Sequence, residues 1–490
     1  MPDNELNPVV GIDLGTTFSC IARWDGERPE AYRLLDGNVT VPSIVHIQEG
    51  DKPLVGQFAR PRLILDPENT VEKVKRYMGD DSKTFSLRGK SYTPVDISAL
   101  ILERLKTDVQ RRYPESAGFD IAGAVITHPH YFKFPQIART QEAAEKAGLP
   151  VIRLASEPVA AALDYGFASY SKQEKTSNEK ILVFDLGGGT FDVTVIEVIN
   201  EKDKLTFKVL STGGDDMLGG TNFDEAYAEW VLRTQGINLA PLKKELRDRA
   251  MATLMEQVIA TKINLSDTEE AYLAVPNILP GQHLDATVTR AQFNEILKPS
   301  CERIRRILAD TISKANLRSG ELNKSLLIGG SSRIPIMREI VHEESGVEPW
   351  ANTDPDLAVC RGAAFLAAMD DGRITKKEIV IEEVTAHALG VRTSGDKFAI
   401  IIEANRRAPA VATSIFEIDS PQFEVQPYQG YGKKVTDPTM TPLKPISISG
   451  VRLGPNGKAD VKITFTVSAQ QMLFVKIDAP GVSEQRQMEY

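Results

Sequence analysis

Apolar and polar positions alternate along Val193-Thr194-Val195-Ile196-Glu197-Val198, so that Val193, Val195 and Glu197 face one way and Thr194, Ile196 and Val198 the other. That period of two predicts a strand. It forms the second arm of a strand–turn–strand unit over residues 181–198, and residues 9–23 predict the same unit. The two share an Asp-Leu-Gly core, at Asp13 and again at Asp185. A helical period takes over in DISALILERLKTDVQRR (96–112), ARTQEAAEKAGL (138–149) and TRAQFNEILKPSCERIRRILADTISKAN (289–316). In the last, Phe293, Ile296, Leu297, Ile304, Ile307, Leu308 and Ile312 fall on one face. Thr289 and Gln292 stand at capping-box spacing at its start. AVITHP (124–129) and SLLIGG (325–330) are short apolar strands that run into turns. The pattern predicts an α/β chain built twice, with an Asp-Leu-Gly hairpin opening each half.

Near residue 370 the pattern changes. DDGRITKKEIVIEE (370–383) is charged and has no core face before Ile379, Val380 and Ile381, so it reads as a linker. Beyond it, KFAIII (397–402), TSIFEI (413–418), FEVQPY (423–428), PISISG (445–450) and ADVKITFTV (459–467) predict a small all-β domain. APGVSEQRQMEY (479–490) reads as a frayed tail.

Composition narrows the function classes. At about 150 residues per domain, 490 residues give roughly three domains. A hydrophobic content of 42% supports a large core. The charge of 58 − 67 = −9 gives no support for a nucleic-acid partner or an anionic membrane surface. Cys20, Cys301 and Cys360 are widely spaced, without a metal-ligand pattern, as expected of a reducing compartment. The N-terminus has no basic region followed by an apolar core, and no run of 18 apolar residues occurs. The expected address is the cytoplasm.

The chemistry lies in the hairpin turns. Glycine lets backbone amides approach an anion because no Cβ intervenes. Gly15, Thr16 and Thr17 offer this in the first half, and Gly187, Gly188, Gly189 and Thr190 in the second. One such turn is commonly only a turn. Two with the same Asp-Leu-Gly core point to a phosphate chain held from both sides. Asp13 and Asp185 would then hold a hydrated Mg²⁺, which keeps several waters and takes one or two carboxylates. No Gly-Lys-Ser/Thr follows, so neither turn is a P-loop. A third turn, IGGSSRIP (328–335), carries Gly329 and Gly330 for close approach and Arg333 to lie flat on a base.

Taken together these segments resemble the actin-like ATPases and, more closely, the seventy-kilodalton heat-shock (DnaK-type) chaperones. GIDLGTTFSC, VPSIV, VKRYMG, AVITHPHYF, SEPVAAALDYG, VFDLGGGTFDVTVIEV, LGGTNFD and LLIGGSSRIP occur in that family's order over about the first 385 residues. The resemblance implies a two-lobed actin-like ATPase domain over 1–369, ribonuclease-H-like in each half. A linker over 370–383 and a β-sandwich substrate-binding-like domain over 384–490, without a helical lid, would follow.

The same resemblance assigns roles to residues. Asp13 and Asp185 organise the water shell of Mg²⁺. Thr16, Thr17 and Gly187 to Thr190, with Gly15, bind phosphates. Lys75 reaches the γ-phosphate and the attacking water, Glu157 orients metal shell and water, and Asp185, Asp192 and Thr190 complete the catalytic set. Gly219, Gly220, Lys262, Ser266, Gly329, Gly330, Ser332, Arg333 and Asp356 line the nucleotide. The cofactors implied are ATP or ADP with Mg²⁺, and K⁺ as an optional further ion. The implied partners are polypeptide clients, a J-domain co-chaperone and a nucleotide exchange factor. Read only as residues, Lys75 would be an ordinary surface lysine and Glu157 a helix N-terminal acid favoured by the dipole.

The chain also departs from the family. Phe18 stands where Asn is usual, Ile259 where the adenine helix carries an acid, and Thr221 where an acid follows LGG. These departures point to weakened adenosine contacts. His128 and His130 replace apolar residues around Pro129 and read as structural rather than metal-binding. Ile137 replaces an interdomain Arg, and EIVIEE is more acidic than a leucine-rich linker. In the β-domain Phe416 matches a pocket aromatic, whereas Ser394, Asp419 and Phe423 replace groove residues. The expected function is ATP-driven binding and release of polypeptide. The alternative is a nucleotide-dependent regulator that does not hold general unfolded clients. A sugar kinase on the same fold leaves the β-domain unexplained.

Overall fold

In the computed structural model, which describes residues 7–113, 120–170, 176–351, 354–374, 378–468 and 471–488, both Asp-Leu-Gly hairpins are central strands of their own sheets. Val9–Asp13 (β1) pairs antiparallel with Phe18–Trp24 (β2), and β2 with Pro29–Ala31 (β3). Its other edge pairs in parallel with Gly123–His128 (β4), and β4 with Val151–Ser156 (β5). The second sheet repeats the plan. Ser177–Leu186 (β6) pairs antiparallel with Phe191–Asn200 (β7), and β7 with Lys204–Asp215 (β8). Its other edge pairs in parallel with Lys324–Ile328 (β9). Strands buried on both faces read as continuous apolar runs: Val10, Ile12, Leu182, Val183, Phe184, Leu326 and Ile328 are fully buried.

The helices follow the apolar spacing, with ends set by local chemistry. Pro94–Arg112 (α1) starts at a capping box between Thr93 and Asp96. Phe134–Lys146 (α2) starts four residues earlier than 138, with Pro135 in its first turn. It ends before Gly148, whose φ of +68° no helix continues. Glu157–Tyr170 (α3), Gly220–Thr234 (α4) and Lys244–Asp267 (α5) follow. Arg290–Lys314 (α6) has the Thr289–Gln292 capping box. It buries Phe293, Leu297, Ile304, Leu308 and Ile312, with Ile296 and Ile307 partly covered. Ala358–Asp370 (α7) crosses β1 and α3 at backbone contact. A Cβ on Gly11 would lie 2.0 Å from the Ala364 nitrogen, and one on Gly362 would lie 1.7 Å from the Ala160 oxygen.

The expected tail is corrected, and part of the expected linker takes a defined place. Within the expected linker, Glu378–Glu382 (β10) adds in parallel to the free edge of β8, with Ile379 opposite Leu205 and Ile381 opposite Phe207. Ile379 and Ile381 are partly buried against the core between the two sheets. The sequence showed a charged run, but the edge of β8 offered unpaired backbone groups that only a strand satisfies. Thr375 to Lys377 lie outside the described residues. We expect Ile379→Asp together with Ile381→Asp to release this strand. Hydrogen exchange at Leu205 to Lys208 should then rise at least tenfold, while β6 remains protected.

The supposed tail is also a strand. Ala388–Thr393 (β11), Lys397–Ile402 (β12), Ala410–Ile418 (β13), Gln422–Val425 (β14), Pro427–Gly430 (β15) and Thr441–Pro442 (β16) come first. Ile446–Ser449 (β17), Ala459–Val467 (β18), Leu473–Ala479 (β19) and Val482–Gln487 (β20) complete the region. One sheet runs β12-β11-β15-β16, a second β13-β18-β19-β20, and β14 pairs β17. The strand β20 has no buried position, its last three residues are all exposed, and it pairs β19 through its backbone, which is why its composition reads as a tail.

This β-region rests against the first two sheets. The Tyr431 ring stacks on Tyr131 at 5.5 Å and 6°, with the His387 ring edge-on to both. The Phe134 amide donates to Gln429 Oε1 at 3.0 Å, and the Thr212 amide to Asn405 Oδ1 at 2.8 Å. Ser156 Oγ donates to Glu383 Oε1 at 3.1 Å. No described helix is long and apolar enough to cross a membrane.

Candidate nucleotide site

The parallel pairing brings the acids of both hairpins to the same ends of their sheets. Asp13 closes β1 and Asp185 is the penultimate residue of β6, with Asp192 directly opposite Asp185 on β7. Glu157 is the first residue of α3, where the helix dipole favours a negative charge. Lys75 enters on a short 3₁₀ turn, Val74–Tyr77, redirected by Lys73 at φ +57°. Its ammonium donates to Glu157 Oε1 at 2.6 Å, and both side chains are almost wholly buried. It also lies 5.5 Å from the centre of the Phe132 ring.

Four carboxylates and one ammonium therefore share a buried space. Burial, then Glu157, pushes the Asp13 carboxyl up to about 7. Burial and the negative charge of Glu157 push Asp185 and Asp192 far above the usual carboxylate range. Burial opposes the Lys75 charge, but Glu157 and Asp13 outweigh it and the amine is held more firmly protonated. Asp192 Oδ1 accepts from the Tyr131 amide at 2.9 Å, whereas Oδ2 is buried without a hydrogen-bond partner. The cluster is short of positive charge; among the described residues no three of its acids are grouped to ligate a metal directly, so only a hydrated ion held through its waters, as Mg²⁺ is, would fit.

The sign of the pH effect follows. A carboxyl whose folded pKa is raised is favoured in its protonated form, so its contribution to stability is full below pH about 4 and is lost as pH rises towards about 7. A divalent cation reverses this by favouring the carboxylate. Mg²⁺ binding should therefore release protons between pH 5 and 7, to be counted by titration calorimetry in buffers of differing ionisation enthalpy. Binding with no proton release over that range would contradict the assignment of Asp13.

The two glycine turns meet face to face. A Cβ on Gly188 would lie 1.9 Å from Thr17 Oγ1, and one on Gly189 2.8 Å from Thr16 Cγ2. Only glycine permits this approach. The later turn is anchored through its carbonyls: Gly187 O accepts from the Gly220 amide at 3.0 Å and from Ser331 Oγ at 2.9 Å, and Gly188 O from the Thr221 amide at 2.7 Å. The Gly187 amide closes back on Thr190 O at 3.1 Å. Gly15 is fixed by Ser19 and Ser43, whose hydroxyls lie 3.2 Å from its nitrogen and 2.8 Å from its oxygen. Gly219 and Gly220 thus back the second glycine turn, and a Cβ on Gly219 would meet the Gly189 nitrogen at 2.7 Å.

The third turn adjoins them. Gly329 has φ +78°, and a Cβ there would lie 2.5 Å from Leu186 O. Ser332 Oγ donates to Gly329 O at 2.7 Å, and Gly330 lies near Asp356. Arg333 pairs with Asp356 at 2.6 Å, both half-exposed, so this guanidinium enters the site with a carboxylate partner. Lys262 carries the expected position on α5, and its acid comes from α4: Asp224 Oδ1 is 2.6 Å away. Ile259 and Thr221 therefore do not leave Lys262 without an anion. Ser266 Oγ faces Lys262 O at 3.5 Å. Phe18 opens β2 opposite Pro42 and is 45% exposed.

Sequence reasoning missed Thr127, whose hydroxyl reaches Asp13 Oδ1 at 3.4 Å, and Tyr131, Ser331 and Asp224. Thr127 was discoverable, being the polar end of an apolar parallel strand beside β1. Tyr131 acts through its amide, which no side-chain pattern reveals. His128 and His130 are buried, with His128 Nδ1 against Pro129 O at 2.8 Å. Burial holds their imidazoles neutral, down to about 4 and about 3.

Residues 9–489 match the family described as Hsp70 protein. The match runs through both hairpins, the Lys75–Glu157 pair and the β-region, and the chain belongs to the Hsp70 protein family.

Proposed function

We propose that this chain binds ATP with Mg²⁺ between two actin-like lobes within residues 1–369 and hydrolyses it slowly. Hydrolysis would control polypeptide binding by a β-sandwich within residues 384–490. Membership of the Hsp70 family supports an ATP-dependent chaperone-type function and ATP hydrolase activity in general. The observation that carries the finer reading is the buried Lys75–Glu157 pair among Asp13, Asp185 and Asp192, beside two glycine turns in contact. The amides around Thr16, Thr17 and Gly187 to Thr190 would hold phosphate oxygens. Lys75 would set positive charge against the transferring phosphoryl group. Glu157 and Asp192 would orient the attacking water and accept its proton. Asp13 and Asp185 would hold the hydrated Mg²⁺, which when bound neutralises phosphate charge. Gly329, Gly330, Ser332, Arg333, Asp356, Lys262 and Ser266 would line the adenosine.

The β-region supports a narrower client preference. Phe416 and Phe423 both pack against its core, and Asp419 is exposed beside Lys458, which itself pairs with Glu417. Volume filled by Phe423 is lost to a client leucine, whose burial is worth roughly 1.5–3 kcal/mol. Uncharged leucine-rich peptides should therefore bind weakly and exchange fast. The regulator reading shares this expectation. A steady-state ATPase assay on the full chain, with a panel of extended peptides, tests both. ATP turnover raised by peptide supports the chaperone reading. Turnover indifferent to every peptide supports the regulator, and no Mg²⁺-dependent ATP turnover overturns both.

A further inference from the structure

A second concave site lies away from the acid cluster. It is a cleft of about 720 Å³ between the edge of the first sheet and the helices α3 and α7, within the size range of small-molecule sites. Its walls come from distant parts of the chain. Arg23 lies on β2, Arg28 and Arg33 flank β3, Asp164 and Phe167 lie on α3, and Arg361 lies on α7. Tyr32, Tyr113 and Trp350 add aromatic faces.

The lining charges are four guanidiniums against Glu30 and Asp164, an excess of 4 − 2 = +2. Counting Asp25, 3.7 Å from Arg28, the excess is still positive, in a chain whose net charge is −9. The guanidiniums are not equivalent. Arg361 is committed to Asp164 by two parallel bonds of 2.9 and 2.6 Å, which join α7 to α3 as the floor. Arg23 stands 5.2 Å over the Tyr32 ring and 3.7 Å from Glu30. Arg33 donates to the Gly37 carbonyl at 3.2 Å and has no carboxylate at ion-pairing distance among the described residues. Its amide donates to the Tyr113 hydroxyl at 3.2 Å, and Tyr113 packs on Tyr32 with centroids 5.0 Å apart. Arg33 thus lines the same cleft as the Tyr32 and Tyr113 rings without a described carboxylate to neutralise it.

From this juxtaposition of unpaired guanidinium, positive excess and aromatic wall, we propose that the cleft binds a flat aromatic molecule carrying an oxyanion, distinct from the nucleotide of the main site. A guanidinium takes two oxyanion oxygens at once, and the ring surfaces cover the apolar part of the ligand. The geometry also places the cleft next to the main site. Leu357 lines the cleft, and the preceding residue, Asp356, pairs with Arg333.

The probe is 1-naphthyl phosphate, titrated calorimetrically into the full chain with and without saturating ADP and Mg²⁺. Saturable binding is expected in both conditions, with a Kd of about 0.1 mM. Arg33→Gln and Arg28→Gln, both on exposed side chains, should each weaken it several-fold, and together more than tenfold. Ala168→Trp, at an exposed lining position of α3, should abolish it by filling the cleft. Thermal unfolding of each variant should match the parent, so a folding defect is visible separately. Equal binding of inorganic phosphate or of 1-naphthol would overturn the proposal, as would an unchanged Kd in the double variant. Loss of binding with ADP present would place the probe in the nucleotide site and also overturn it. Failure of ADP itself to bind, with the probe still bound, would count against the proposed function and not against this cleft.

Discussion

Replacing Lys75 by Ala should lower ATP turnover by about 100- to 1,000-fold, the usual effect of removing one preorganised charge from a developing anion. Nucleotide affinity should change only a few-fold, because the turns at Thr16–Thr17 and Gly187–Thr190, proposed to hold the phosphates, remain. The Nζ–Oε1 contact of 2.6 Å with Glu157 is buried, and removal of one partner of such a pair commonly costs about 3–5 kcal/mol. Here the cost is limited, since the remaining carboxylates can take up a proton: Asp13, Asp185 and Asp192 are already pushed up by burial. Single-turnover hydrolysis and nucleotide titration on the same preparation separate the two quantities, with a melting curve to show that the variant is folded. Turnover at the parent rate would remove Lys75 from the reaction. Equal losses in affinity and turnover would make it a binding residue instead.

The largest effect on stability is expected at Gly362. A Cβ there would stand 1.7 Å from the Ala160 carbonyl oxygen and 3.0 Å from its Cα, both backbone atoms of α3. No side-chain rotation relieves that overlap, so the two helices must move apart. The same helix packs Ala364 against Gly11 of β1, two residues before Asp13, which limits where α7 can go. Overpacking typically costs 1–3 kcal/mol, and Gly362→Val should exceed about 3 kcal/mol at this backbone contact. Chemical denaturation read by far-ultraviolet circular dichroism measures it. A loss under about 1 kcal/mol would show that the α3–α7 crossing is softer than its geometry. Gly372, at φ +72° with no atom near its Cβ position, serves as a comparison, where only backbone strain applies.

Much of the site was legible because its parts are local. Alternation around Val193–Val198 and the repeated Asp-Leu-Gly fixed both hairpins, since a strand pair and its turn are set by neighbours in sequence. Thr289 with Gln292 fixed a helix start for the same reason. Three properties were beyond the sequence. The segment 378–382 became a strand through the unpaired edge of β8, a contact with residues far earlier in the chain. Lys262 found its anion on a different helix, at Asp224, because α4 and α5 pack together. The elevated Asp13, Asp185 and Asp192 carboxyls needed burial and mutual repulsion, neither of which exists before the chain folds. The sequence by itself therefore determined the paired turns and the residue types at them. Only the tertiary structure decided which charges face one another in a dry interior, because electrostatic interaction depends on distance and on exclusion of water rather than on separation along the chain.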